Sequence, residues 1–144
     1  MAQNMNINTP EYWDQVYDQE LKDGLIRNNL HNVRFFDQYV EQCKTFLDVG
    51  CGTGLYIDYL KNKMQIPYVL IAAADFSPVA LDHVNAKHHV TTFQGDIRDL
   101  NFLTKLPSAE LVTCLHTLEH IENIKEVIVF LHALAKKYLI IALP

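Results

Sequence analysis

The sequence predicts an α/β fold built on a parallel sheet covered by helices on both sides, and three observations predict it. Short runs that are apolar on both faces alternate with stretches of helical spacing from Thr45 onward, the pattern of strands buried in a parallel sheet. The stretch 46–60, FLDVGCGTGLYIDYL, sets Gly50, Gly52 and Gly54 between such a run and an amphipathic one. An acidic residue or a histidine stands at or just after the end of four of the runs, as Asp48, Asp75, Asp96 and His116.

Residues 1–10 read as a polar tail. Residues 11–21 and 32–43 read as helices, the second with Val33, Phe36, Tyr39, Val40 and Cys43 on one face and Asn32 as its N-cap. Then follow a strand at TFLDVG, a helix at LYIDYLKNK and a strand at YVLIAAA. Ser77 and Pro78 open the next helix as cap and first residue. HVTTF and ELVTCL are further strands, 121–136 a long helix, and YLIIAL a last strand. No repeat, linker or low-complexity segment divides the chain. Residues 1–44 therefore read as a helical cap and 45–144 as the core of one domain.

The 144 residues suffice for a single core; 49% are hydrophobic and 20% charged, a globular composition. The net charge of −5 repels a polyanion, and the longest basic cluster is Lys136-Lys137. The balance thus argues against nucleic acid as a partner, and no polybasic membrane anchor is legible. No apolar run reaches membrane-spanning length, and the polar start lacks a signal-peptide core. Cys43, Cys51 and Cys114 are odd in number and far apart, which suggests neither zinc nor a disulfide framework. The expected location is the cytoplasm.

In an open α/β sheet the ligand sits beyond the carboxyl ends of the strands. Asp48, Asp75, Asp96 and His116 lie roughly one strand–helix unit apart, so all can face one crevice. The dinucleotide fingerprint would need its third glycine at position 55, where the chain has Leu55, and no Gly-Lys-Ser/Thr follows. Asp48 would also set a carboxylate against a pyrophosphate, a repulsion that a low-dielectric crevice strengthens. S-adenosylmethionine fits better: it brings an ammonium and a sulfonium for the acidic side, a carboxylate for the helix N-terminus, and no phosphate. Its ribose hydroxyls suit a bidentate acceptor at Asp75, its adenine amine suits Asp96, and the backbone N–H of Ile97 suits a ring nitrogen. Ala72, Ala73 and Ala74 are expected to leave room for the ribose. Singly, the glycines also suit tight packing, Asp75 a helix cap and Asp96 a turn.

With these residues in view, the chain resembles the class I S-adenosylmethionine-dependent methyltransferases over roughly residues 45–143. LDVGCGTG resembles their first motif, AADFSPVAL the acidic second-strand motif, FQGDIRDL the adenine motif, ELVTCLHTLEHI the fourth strand with its loop, and KKYLIIALP the fifth strand. The resemblance implies a Rossmann-like, doubly wound sheet of about five strands. It implies that Asp48, Gly50, Gly52 and Gly54 line the methionine moiety, that Asp75, followed by Phe76, holds the ribose, and that Asp96 with Ile97 holds the adenine. It further implies methyl transfer to an acceptor, with a small molecule favoured over nucleic acid by the acidic balance. The aromatic start, EYWDQVYDQEL, resembles the helix that covers the cofactor in many such enzymes; Trp13 and Tyr17 then wall the pocket or pack in the core.

The stretch HTLEH also has the spacing of a metalloprotease motif, but it follows a strand directly and falls where methyl acceptors are expected. It resembles the segment of ubiquinone-biosynthesis and small-RNA methyltransferases in which E-x-x-E-H binds a divalent metal, with His116 in place of the first Glu. No metal is assigned. His116, Glu119 and His120 remain open among base, metal ligand and structure, and His116 is the candidate general base. The family sheet continues to a C-terminal antiparallel hairpin that this sequence lacks. The expectation is a fragment, or a trimmed form that covers its open sheet edge with a partner such as a second copy. The rival to an enzyme is an inactive methyltransferase-like binding or scaffold module.

Overall fold

In a computed structural model the described residues are 6–24 and 33–144. Asn32, expected as a helix cap, lies outside them, as do residues 1–5 of the expected tail. Helix α1 spans Pro10–Asp23; Thr9 caps it by accepting from the Tyr12 N–H, and Gly24 ends it at φ 65°. A 3-10 turn at Arg34–Phe36 leads into the short α2, Asp37–Val40. The helix expected over 32–43 is thus much shorter. Val33, Val40 and Cys43 are buried as its spacing implied, whereas Phe36 and Tyr39 are about 40% exposed. A 3-10 turn advances about 120° per residue instead of 100°, which rotates positions read at α-helical spacing off the buried face.

The core alternates strand and helix: β1 (Thr45–Val49), α3 (Leu55–Asp58, continued as a π-helical stretch Tyr59–Lys63), β2 (Leu70–Asp75), α4 (Pro78–His88), β3 (Thr91–Gln94), α5 (Leu100–Leu103), β4 (Ala109–Leu115), α6 (Ile124–Leu134) and β5 (Ala135–Ala142). The five strands form one sheet in the order β3-β2-β1-β4-β5, every pairing parallel. Ser77 caps α4 by accepting from the Ala80 N–H, and Pro78 is its first residue, as the sequence predicts. The short α5 was not legible. The helix expected over 121–136 begins at Ile124, and Ala135 and Lys136 belong to β5 instead.

Side chains alternate between two cores. Phe46, Ala73, Leu111 and Ile140 pack with Tyr56, Ile57, Leu60, Leu81 and Val84 of α3 and α4 on one face. Leu47, Val49, Ala72, Ala74, Val112 and Cys114 pack with Phe102, Leu103, Val127 and Leu131 of α5 and α6 on the other. The connections reverse direction between β1 and β4, and a doubly wound sheet opens its crevice at that point, beyond the strands' carboxyl ends.

Candidate functional site

The loop after β1 opens the crevice. Gly50 turns at φ 71°, its N–H donating to the Ala74 carbonyl at 2.7 Å. Thr117 closes over it so tightly that a Cβ on Gly50 would lie 2.3 Å from Thr117 Oγ1. Gly52 donates its N–H to Asp75 Oδ2 at 2.9 Å. Gly54 does something different: it caps α3 at φ 81° and faces α4, where a Cβ would meet Val84 at 2.8 Å. Gly54→Ala is expected to destabilise the fold by about 1–2 kcal/mol through left-handed strain and overpacking, read as a lower urea midpoint whether or not ligand is present.

A cavity of about 660 Å³ lies over this loop. Asp48, Gly50, Gly52, Asp75, Phe76, Asp96, Ile97 and His116 all line it; Gly54 does not. Ala72, Ala73 and Ala74 are buried in the sheet and absent from the wall, so the room expected of them is not theirs to give. Trp13 and Tyr17 of α1 wall the cavity, with ring centroids 5.5 Å apart, and Trp13 also packs against His120 at 5.6 Å. This favours the pocket-wall reading of both over the core reading, because α1 has no buried residue.

Asp48, 3% exposed, pairs in register with Thr113 of β4, whose hydroxyl donates to Asp48 Oδ1 at 2.6 Å. Burial pushes the Asp48 carboxyl up to about 7; Thr113 opposes the shift and Asp75 adds to it. Asp75, 4% exposed, ends β2 and accepts from the N–H groups of Gly52 and Ser77, each at 2.9 Å. Burial raises its carboxyl above the usual range against those bonds. Asp96 is held otherwise. Burial alone would raise it, but Arg98 donates to it from the backbone at 2.8 Å and from Nε at 2.9 Å, and the net shift is downward. A carboxylate has about four acceptor sites. Arg98 already fills most of those on Asp96, whereas Asp75 is held by backbone N–H groups alone.

His116 stands at the end of β4 in a left-handed backbone, φ 53°, its N–H donating to the Ala142 carbonyl at 2.8 Å. Its Nε2 is buried and takes no hydrogen bond among the described residues. Strained, underbonded residues of this kind gather at functional sites. Glu119 and His120 follow in a 3-10 turn, 3.7 Å apart across Oε1 and Nε2. Among the described residues no group of three or more His, Cys, Asp and Glu is placed to hold a metal.

Sequence reasoning missed Thr113, Arg98 and Asp14. Thr113 reads as an ordinary strand threonine until pairing sets it opposite Asp48, and Asp14 accepts from the Ser77 hydroxyl 63 positions away in the chain. Arg98 stands two residues beyond Asp96, but its other partner, the Asn8 carbonyl, lies 90 positions away.

The family model described as a methyltransferase domain matches residues 46–137. A ubiquinone biosynthesis O-methyltransferase of Glaesserella parasuis is 29% identical over 84 residues, 56% of this chain and 36% of that protein. The plantazolicin methyltransferase BpumL, solved with a pentazolic desmethylPZN analogue and SAH, superposes with a TM-score of 0.69 at 15% identity, covering 96% of this chain and 58% of its own. An S-adenosylmethionine-dependent methyltransferase from Clostridium acetobutylicum gives 0.64 at 19% identity, covering 91% and 56%. An O-methyltransferase family protein from Burkholderia thailandensis gives 0.63 at 17%, covering 94% and 42%. The chain thus spans about a third of the curated relative and about half of the solved ones, and the structural matches establish the shared fold.

Proposed function

This chain belongs to the methyltransferase domain family, and on that premise we propose that it binds S-adenosylmethionine in the cavity and serves methyl transfer to a small, non-anionic acceptor. One observation carries the reading: a buried carboxylate, Asp48, stands under the glycine loop at the switch point of the sheet, where a phosphate would need the opposite charge. Arg98 is the one Lys or Arg on the described wall, and it is already committed to Asp96, while Glu119 adds a further carboxylate. That balance opposes a nucleotide phosphate, a nucleic acid and an anionic acceptor alike.

When bound, S-adenosylmethionine supplies a methyl carbon made electrophilic by cationic sulfur. Asp48 faces the cationic methionine end, Asp75 accepts from the ribose hydroxyls, and Ile97 and Phe76 flank the adenine and ribose. Asp96 acts less as an adenine acceptor than as the seat of Arg98, a change from the sequence expectation that its bonding supports. Trp13 and Tyr17 exclude water and hold the acceptor near the reacting carbon, so that positioning supplies most of the rate. His116 lines the cavity and its Nε2 has no hydrogen-bond partner among the described residues; it takes the proton that a hydroxyl acceptor loses as the oxygen lone pair attacks. No described helix is long and apolar enough to cross a membrane, and buried free thiols at Cys43, Cys51 and Cys114 suit the cytoplasm.

Calorimetry with SAH tests the proposal. A micromolar dissociation constant is expected, with no comparable heat from NAD or ATP. Binding of either nucleotide in preference to SAH would overturn it. Tight SAH binding without turnover over a broad acceptor panel would favour the scaffold reading.

A further inference from the structure

Helix α1 covers the cavity yet has no buried residue, so apolar burial alone does not hold it there. Two polar connections reach this N-terminal strap from the cavity floor. In the first, Asp14 accepts from the Ser77 hydroxyl and, at 3.4 Å, from the Val79 N–H in the opening turn of α4. Ser77 is fully buried, and its own N–H donates to Asp75 Oδ1. In the second, Arg98 Nη2 donates to the Asn8 carbonyl at 2.9 Å while its Nε bonds both oxygens of Asp96. The two carboxylates on the ribose and adenine side are therefore each one residue removed from the strap. The strap also bears on the glycine loop: the Tyr17 hydroxyl would lie 3.3 Å from a Cβ on Gly52.

We infer that Asp14 and Arg98 are positioning residues that couple the strap, residues 8–23, to Asp75 and Asp96, so that strap closure and cofactor retention are a single equilibrium. This rests on the proposed S-adenosylmethionine reading. A ligand that fixes Asp75 fixes the Ser77 backbone and orients the hydroxyl that Asp14 accepts; docking of α1 in turn fixes Ser77 for Asp75. Linkage makes the effect reciprocal. Asp14 also brings a negative charge to the N-terminus of α4, which the helix dipole favours. An open strap would lose both connections together, because they hold its two parts, Asn8 ahead of α1 and Asp14 within it.

The experiment follows SAH binding to the full chain by two readouts: amide hydrogen exchange of residues 10–23, and stopped-flow fluorescence of Trp13, the single tryptophan, which sits on the strap at the cavity wall. Saturating SAH is expected to slow exchange in α1 about tenfold or more. Asp14→Ala and Arg98→Met are each expected to speed SAH dissociation about tenfold and to remove most of that protection. Asp14→Asn, which keeps an acceptor oxygen for Ser77, should fall between. The double variant should lose less than the sum of the two, since both act on one strap. Bound SAH with unchanged α1 exchange in the unaltered protein would overturn the coupling, as would dissociation rates within about twofold in both single variants. Absence of SAH binding to the unaltered protein would instead overturn the cofactor reading beneath it.

Discussion

Asp75→Ala is expected to weaken SAH binding at least about a hundredfold, from the loss of two hydrogen bonds to a charged acceptor at roughly 1.5 kcal/mol or more each. The same change strips the Gly52 and Ser77 N–H groups of their acceptor. The glycine loop and the first turn of α4 would then lose the group that holds them at their present spacing. Asp75→Asn should recover little: both oxygens accept from a backbone N–H, so an amide NH2 in either place sets donor against donor. Calorimetry with SAH gives the affinity, and urea unfolding of the ligand-free protein gives the structural share. An alanine variant binding within about threefold of the unaltered protein would show that the ribose is held elsewhere.

The alternation of strands and helices, the parallel sheet and the glycine loop were legible because each leaves a local pattern in the chain. Val49 and Leu55 bracket a loop whose glycines and Asp48 fall at fixed offsets, and Ser77-Pro78 signals a helix start without any tertiary help. The failures have equally specific causes. Phe36 and Tyr39 were placed on a buried face by an α-helical period that a 3-10 turn does not keep. Gly54 was grouped with Gly50 and Gly52, yet the contact that requires it is Val84, 30 positions away in the chain. Spacing marked Asp96 as an acceptor and could not reveal that Arg98 folds back on it. The site was therefore legible as a set of strand ends, but not as a network, since Thr113, Ser77 and Asp14 acquire their roles only across strand pairing or helix docking.

Affinity for SAH is expected to rise with pH up to about 7 and to level off above it, because Asp48 must ionise to attract the ligand's ammonium. Desolvation disfavours the charged form in the ligand-free protein, while Thr113, the nearest donor, limits the shift. The neighbouring Cys51, Cys114 and Tyr56 are all raised by burial and stay neutral over this range, which leaves Asp75 as the other carboxylate facing Asp48. Below the Asp48 midpoint each unit of pH should cost about tenfold in affinity, and binding should release close to one proton. Stability of the ligand-free protein runs the opposite way. The folded chain holds this proton more tightly than the unfolded one, so the contribution of Asp48 is greatest below its ordinary value of 3.8 and is lost as pH rises to about 7. Calorimetry at pH 5.5 to 8.5 in buffers of different ionisation heat separates the two trends. Asp48→Asn should bind weakly with the steep limb gone. Thr113→Val should move the midpoint upward and Thr113→Ser restore it, since serine keeps the donor. A flat profile in the unaltered protein, or midpoints that coincide in the valine and serine variants, would mean that the carboxylate under the loop does not meet the ligand's charge.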